Sequence, residues 1–204
     1  MTLSSLPDLK SYPISSDNTQ ITLDSTSKEV TYGDSITLKA SVTSDTPQTV
    51  TWKSSNTAVA TVKDGIVTAT GKGTAKITAS LPNGRSAVCT VKVTTKKLPT
   101  SGYSYASTAQ YTGSAIIPTV TVKDGSKVLR QNIDYRVIVT NNVKIGHANI
   151  TISGMGNYYG SYTAGFDIIP AKQTIQKLET RYKGFFVDWA QKGSATGYDI
   201  QYST

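Results

Sequence analysis

The chain has 204 residues, of which 37% are hydrophobic and 17% charged, and its formal net charge is +8. This length allows one large domain or two to three small ones, and the composition is ordinary for a β protein rich in Thr and Ser. No apolar run approaches the roughly 20 residues that cross a bilayer as a helix, so we expect no membrane insertion. Residues 1–18 lack a basic start and an apolar block, and we assign them to a leader or linker.

Apolar and polar residues alternate along much of the chain. The alternation is clear over residues 36–42, 75–79 and 87–93, and it is typical of strands with one buried face. Asp-Gly at 64–65 and Asn-Gly at 83–84 suit the tight turns of β-hairpins. Strands at this spacing predict a small antiparallel sandwich.

The same strands carry a family resemblance. Between residues 21 and 93 the chain contains VTWKSSNTAVATV, DGIVTA, GKGTAKITA and AVCTVKV, in that order. This stretch resembles the bacterial immunoglobulin-like domain of group 2, whose pattern has these motifs at fitting spacing. The resemblance implies an Ig-like domain over residues 19–95.

The chain has one cysteine and one histidine. A single cysteine excludes an internal disulfide. Cys89 shares its alternating face with Val91 and Val93, so we expect a buried core thiol; a reactive thiol would need an activating partner. His147 belongs to a different part of the chain, and we expect it to face solvent in the loop just before a strand.

A second β unit is expected over residues 103–171. The stretches YTGSAIIPTVTVKDG, DYRVIVTNN, IGHANITISGMGNYYG and FDIIPA again alternate in polarity. They resemble a repeat found in large surface proteins of Gram-positive anaerobes. An Ig-like sandwich and a β-grasp-like sheet both accommodate these strands.

Residues 172–204 resemble the opening of a fibronectin type III module. Apolar residues would point inward from two of its strands: Phe185, Val187, Trp189, Tyr198, Ile200 and Tyr202. A complete sandwich of this kind takes on the order of 100 residues, so the module is cut short. We expect flanking domains in a longer chain; the alternative is completion by a partner strand from another subunit.

The predicted fold class is all-β, with tandem small antiparallel β-sandwich (Ig-like) modules in an elongated array. Residues 96–102 are polar, contain a proline and are assigned to a linker between the first two modules. Short linkers between β modules favour a semi-rigid arrangement.

We expect no enzymatic activity, no cofactor and no metal. One histidine and one cysteine, far apart, exclude the usual four-ligand zinc site unless carboxylates supply the rest. No nucleophile elbow is present, and the acidic residues at 24, 34, 45 and 64 lack the dense spacing of a calcium loop.

The positive charge is spread along the chain. Its densest pair is Lys96-Lys97, which is too little to track a phosphate backbone, so we expect no specific nucleic acid partner. Dispersed lysines favour salt-sensitive contact with anionic polymers of a cell wall or of mucus glycans.

Tyrosine is over-represented, with 12 Tyr against 3 Phe and 2 Trp. Tyr135 and Tyr158 are expected to be packing residues of the second unit. Tyr159 and Tyr162 alternate with small residues and are our candidate ligand-binding residues, because exposed rings stack on the flat faces of sugars.

Three classes of function follow from these expectations. The first is a non-catalytic stalk or adhesion segment of a bacterial cell-surface or secreted multidomain protein of the Gram-positive type, which presents or spaces binding modules. Its expected partners are cell-wall or host glycans or surface proteins. The second is an accessory Ig-like region of a secreted glycan-active enzyme. The third is a phage virion structural or decoration protein.

Overall fold

The structure is a computed structural model that describes residues 18–171 and 175–189. All regular elements in these ranges are β-strands, so the prediction of an all-β fold is confirmed. No helix in the described ranges is long and apolar enough to cross a membrane. The chain divides into two compact units, and the boundary falls between Thr94 and Thr95.

Unit 1 comprises the residues before this boundary, and its described part, residues 18–94, contains nine strands. Their bounds are β1 Gln20–Leu23, β2 Ser27–Thr31, β3 Ser35–Thr37, β4 Ala40–Thr43, β5 Thr51–Ser54, β6 Ala60–Lys63, β7 Ile66–Ala69, β8 Gly73–Ser80 and β9 Ser86–Thr94. The largest sheet has the order β2-β9-β8-β5, a second has β3-β7-β6, and β1 pairs with β4. The core consists of small and aliphatic side chains, among them Val67, Ile77, Cys89 and Val91.

The strand predicted over residues 36–42 is divided between two sheets. Its first part pairs with β7 and its second part with β1. At the change of sheet the Leu38 N–H donates to the Gly65 carbonyl (2.8 Å), and the Asp24 N–H donates to the Lys39 carbonyl (3.0 Å). Since the polarity alternates without interruption through this point, the pattern could not reveal the division.

Unit 2 begins at Thr95 and contains nine strands up to residue 169. Their bounds are β10 Lys96–Lys97, β11 Tyr103–Ser104, β12 Thr108–Gln110, β13 Thr121–Asp124, β14 Lys127–Val128, β15 Tyr135–Thr140, β16 Gly146–Gly154, β17 Tyr158–Tyr159 and β18 Ser161–Ile169. The main sheet has the order β12-β18-β16-β15, and a second has β11-β13-β14. Val122, Ile150, Ile152, Phe166 and Ile168 form the centre of its core.

The main sheets of the two units share one plan of pairing. In each, an early strand runs parallel to the last strand, as β2 does to β9 and β12 to β18. The last strand then pairs antiparallel with a long strand, which pairs antiparallel with an earlier one. This shared plan favours the Ig-like alternative for unit 2 over the β-grasp-like sheet.

The residues assigned to a linker include ordered β pairing. Lys96–Lys97 run parallel to Tyr158–Tyr159, and the Leu98 N–H donates to the Tyr159 carbonyl (2.8 Å). Leu98 is buried. Two lysines and a nearby proline have the composition of a linker, and the pairing that orders them is with residues some sixty positions later in the chain.

Residues 175–189 form a hairpin of β19 Ile175–Arg181 and β20 Gly184–Trp189. Its register places Phe185, Val187 and Trp189 on one face with Leu178, as the alternation predicted. Phe185 is nevertheless 46% exposed. The predicted strand with Tyr198, Ile200 and Tyr202 lies outside the described residues, as do residues 1–17.

Candidate functional site

Tyr162 lies in a stack of aromatic rings that bridges the two sheets of unit 2. It is on β18 with the same orientation as the buried Phe166, because side chains alternate along a strand. Tyr103 comes from β11 of the other sheet, and the two rings stack with centroids 3.8 Å apart and planes 6° apart. The Tyr103 hydroxyl donates to the Pro99 carbonyl (2.6 Å).

A third tyrosine completes this cluster. The pKa of Tyr105 is raised, mainly by burial. A hydrogen bond with Tyr162 and electrostatic repulsion from Tyr162 raise it further. Burial, followed by the charge of Tyr162, raises the pKa of Tyr103. Both hydroxyls are therefore uncharged at neutral pH. Tyr162 is half-buried and stacks on Tyr103, so only part of its side chain faces solvent.

Tyr159 has a different environment. It is 51% exposed on β17, and its side chain forms neither a hydrogen bond nor a ring stack with the described residues. Its backbone is held by the Leu98 N–H. The structure thus places Tyr159 and Tyr162 on successive strands, but the Tyr162 ring stacks on Tyr103 rather than on Tyr159. Tyr159 is the more exposed of the two candidates.

Tyr135 and Tyr158 are both buried, as predicted for packing residues. The Tyr135 hydroxyl donates to the Val120 carbonyl (2.8 Å). The Tyr158 hydroxyl donates to Asp124 Oδ2 (3.0 Å).

Asp124 is the centre of a polar network that sequence patterns did not indicate. Lys96 Nζ lies 3.0 Å from Asp124 Oδ1 and 2.7 Å from Oδ2, and the Asp124 side chain is only 17% exposed. Burial by itself would raise the pKa of Asp124. Hydrogen bonds from Lys96 and Tyr158, with the positive charges of Lys96 and Lys127, outweigh burial and lower this pKa. The ionised carboxylate therefore ties β10, β13 and β17 together.

His147 lies in strand β16, so the prediction of a loop position is wrong, whereas the prediction that it faces solvent is confirmed. The strand begins at Gly146, two residues earlier than expected. His147 Nδ1 is 2.8 Å from Asp167 Oδ1, and both side chains are mostly exposed. The imidazole lies over Gly165, where a Cβ atom would collide with it. Asp167 is its one hydrogen-bond partner among the described residues.

Cys89 is fully buried in the core of unit 1, as predicted. Burial, and then the charge of Asp24, raise the pKa of its thiol, while Lys28 opposes this shift. Such a thiol is protonated and inert at neutral pH. Within the ranges that the structure describes, no group of three or more His, Cys, Asp or Glu side chains could hold a metal ion.

Comparison with known proteins supports part of the sequence interpretation. Residues 17–91 match the family model of the bacterial Ig-like domain (group 2). The chain is also 57% identical over 51 residues to Lacto-N-biosidase of Bifidobacterium bifidum. That match covers 24% of this chain and 5% of the relative, so the chain spans only a small part of the relative's length.

Solved structures to which the chain is similar include an adhesin and a fragment of titin. The Yersinia pseudotuberculosis adhesin InvE is 14% identical with a TM-score of 0.34, over 79% of this chain and 66% of that chain. An I-band fragment of titin is 14% identical with a TM-score of 0.32, over 74% and 64%. Identities at this level carry no information about function. The prediction of a bacterial Ig-like domain of group 2 is confirmed for residues 17–91, and the likenesses to a surface repeat and to fibronectin type III stay predictions.

Proposed function

We propose that this chain is a non-catalytic segment of an extracellular bacterial protein, which spaces or presents binding modules at the cell surface or in a secreted protein. The observation that carries the proposal is the match of residues 17–91 to the bacterial Ig-like domain, because Ig-like domains are generally non-catalytic. The buried, protonated Cys89 and the exposed His147–Asp167 pair offer no activated nucleophile, which supports the same reading.

Within this role, Tyr159 is the residue that we assign to ligand contact. An exposed ring on an ordered strand loses little conformational freedom when a sugar stacks on it. Tyr162 supports the site from within unit 2, because its ring is held by Tyr103. Cell-wall or host glycans are the proposed ligands.

A glycan array tests this assignment. Three proteins are applied to the array: the original chain, Tyr159→Ala and Tyr159→Phe. Tyr182→Ala is the matched control, because Tyr182 is 91% exposed in the β19–β20 turn. We expect Tyr159→Ala to weaken binding about tenfold, and Tyr159→Phe and the control to leave it unchanged. Equal loss in Tyr182→Ala, or binding that is indifferent to Tyr159, contradicts the assignment.

The likeness to Lacto-N-biosidase favours a second candidate, an accessory region of a secreted glycan-active enzyme. Both candidates leave this segment without catalytic residues of its own. Sequencing the gene on both sides of the segment separates them. A catalytic domain in the same reading frame supports the accessory role, and a wall-anchoring motif without one supports the stalk or adhesion role.

A further inference from the structure

The outer face of the main sheet of unit 1 gathers three lysines that are far apart in the sequence. The buried residues Ile77 and Cys89 fix which positions of β8 and β9 face inward, because side chains alternate. Lys53 on β5, Lys76 on β8 and Lys92 on β9 take outward positions, and all three are exposed.

The strand register aligns these lysines. Lys92 lies opposite Thr74, and Lys76 is two residues further along β8. Lys53 lies opposite Thr78, which is two residues beyond Lys76. Residues offset by two across a strand pair are about 7–8 Å apart. The three residues therefore follow one line across the sheet, and we call Lys53, Lys76 and Lys92 the lysine diagonal.

The surroundings of the lysine diagonal leave its charge largely uncompensated. Lys92 Nζ is 3.6 Å from Glu29 Oε2, but both side chains are mostly exposed, so this ion pair is weak. Lys53 and Lys76 form no ion pair with any described residue. Most neighbouring outward positions carry hydroxyl groups: Ser27, Thr51, Thr74, Thr78, Ser80 and Thr90. The exposed Val88, opposite Thr78, adds one apolar position to this face.

We propose that the lysine diagonal is a docking surface for a linear acidic polysaccharide, whose anionic groups pair with the three ammonium groups. The hydroxyls of the face supply donors and acceptors for the sugar hydroxyls. This proposal deepens the proposed function by naming the class of glycan, and it rests on that function only for the extracellular setting.

The composition of this face favours a polysaccharide over a nucleic acid. All residues of β2, β5, β8 and β9 are described, and none of their outward side chains is aromatic. Single-stranded nucleic acid is bound through stacking of bases on aromatic rings. The major groove of a duplex admits a helix or a two-stranded ribbon, whereas this surface is the face of a four-stranded sheet.

The test measures binding of the full chain to dextran sulfate, with neutral dextran and a single-stranded oligothymidylate as comparison ligands. The test variant replaces Lys53, Lys76 and Lys92 by Gln. A control variant makes the same change in net charge elsewhere, by Lys39→Gln, Lys63→Gln and Lys144→Gln, all at exposed positions. A third variant replaces the lysine diagonal by Arg, which keeps the charge.

We expect the diagonal variant to lose about tenfold in affinity and the control variant to lose much less. The slope of log affinity against log salt should fall by on the order of two in the diagonal variant alone. The Arg variant should bind like the original chain. Tyr159→Ala should leave the binding of dextran sulfate intact. The Tyr159 variants therefore test the proposed ligand contact at Tyr159, and the lysine variants test the lysine diagonal.

Four results would overturn the proposal. They are no binding of dextran sulfate at low salt, equal losses in the diagonal and control variants, binding of neutral dextran as tight as that of the sulfate, and tighter binding of oligothymidylate through the same lysines. Binding to carboxymethyl dextran, measured in the same way, then decides whether sulfate or carboxylate groups are preferred.

Discussion

Unit 1 and unit 2 follow the same plan of strand pairing in their main sheets, but they fill their cores with different side chains. The buried core of unit 1 is built from small and aliphatic residues such as Ala75, Ile77 and Val91, and its aromatic side chains Tyr32 and Trp52 pack against it only partly buried. Unit 2 buries Phe166 and the two tyrosines Tyr135 and Tyr158. The alternation of burial, rather than the identity of the apolar residues, therefore specifies this arrangement of strands.

The difference has a consequence for what holds each core in place. A buried tyrosine needs a partner for its hydroxyl, and in unit 2 these partners are the Val120 carbonyl and the Asp124 carboxylate. Unit 1 depends on apolar packing, which is not directional. We thus expect unit 2 to be sensitive both to lost volume and to lost polar contacts.

The largest loss of stability is expected from Phe166→Ala. Phe166 is among the largest fully buried side chains of unit 2, and truncation of such a residue costs about 3–5 kcal/mol in the free energy of unfolding. Ile77→Val in unit 1 is the comparison, with an expected cost of about 0.5–1.5 kcal/mol. Urea unfolding followed through the amide resonances of each unit measures both. A loss below about 1 kcal/mol for Phe166→Ala would contradict the assignment of Phe166 to the core.

An intermediate effect is expected from Asp124→Asn. Neutralising this carboxylate removes the charge-assisted bonds from Lys96 and costs about 1–3 kcal/mol at pH 7. Because the pKa of Asp124 is lowered in the folded state, its contribution is present above the unfolded pKa of about 4 and is lost as the pH falls through the folded value. The free energy of unfolding of Asp124→Asn and of the original chain should therefore be measured at pH 7 and at pH 3. The difference between the two proteins should be smaller at pH 3. A gap that stays constant would argue against an ionised Asp124.

The smallest effect is expected from Tyr135→Phe, which removes one hydroxyl and leaves the ring. The loss of its bond to the Val120 carbonyl costs about 1 kcal/mol. Thermal unfolding measures this change, and Tyr111→Phe at a half-buried site serves as the control. If Tyr135→Phe is neutral, the polar contacts of unit 2 are incidental and the contrast with unit 1 disappears.

Much of the fold was predictable because burial alternates with period two along strands such as β8, β9 and β16. Where the chain changes sheet near Leu38, the alternation continues unchanged, so the sequence predicted one strand instead of two. Lys96–Lys97 resembled a linker because their pairing partner, β17, lies far along the chain. Local pattern contains no information on such distant pairings.

The candidate site was predictable only in part. The abundance of tyrosine pointed to Tyr159 and Tyr162, but the stack of Tyr162 on Tyr103 depends on how two sheets meet. The lysine diagonal could not be found from sequence, since Lys53, Lys76 and Lys92 are aligned only by the register of β5, β8 and β9. Counting lysines along the chain suggested dispersed charge.

The parallel pairing of β12 with β18 tests the central claim, that unit 2 repeats the sheet plan of unit 1. Backbone NOEs in isotopically labelled full chain should connect Thr108–Gln110 with Asp167–Ile169 in parallel register. The parallel pair β2–β9 of unit 1 provides the internal reference. Matching patterns in both pairs are the predicted result. Parallel contacts in unit 1 with none between β12 and β18 would contradict the shared plan.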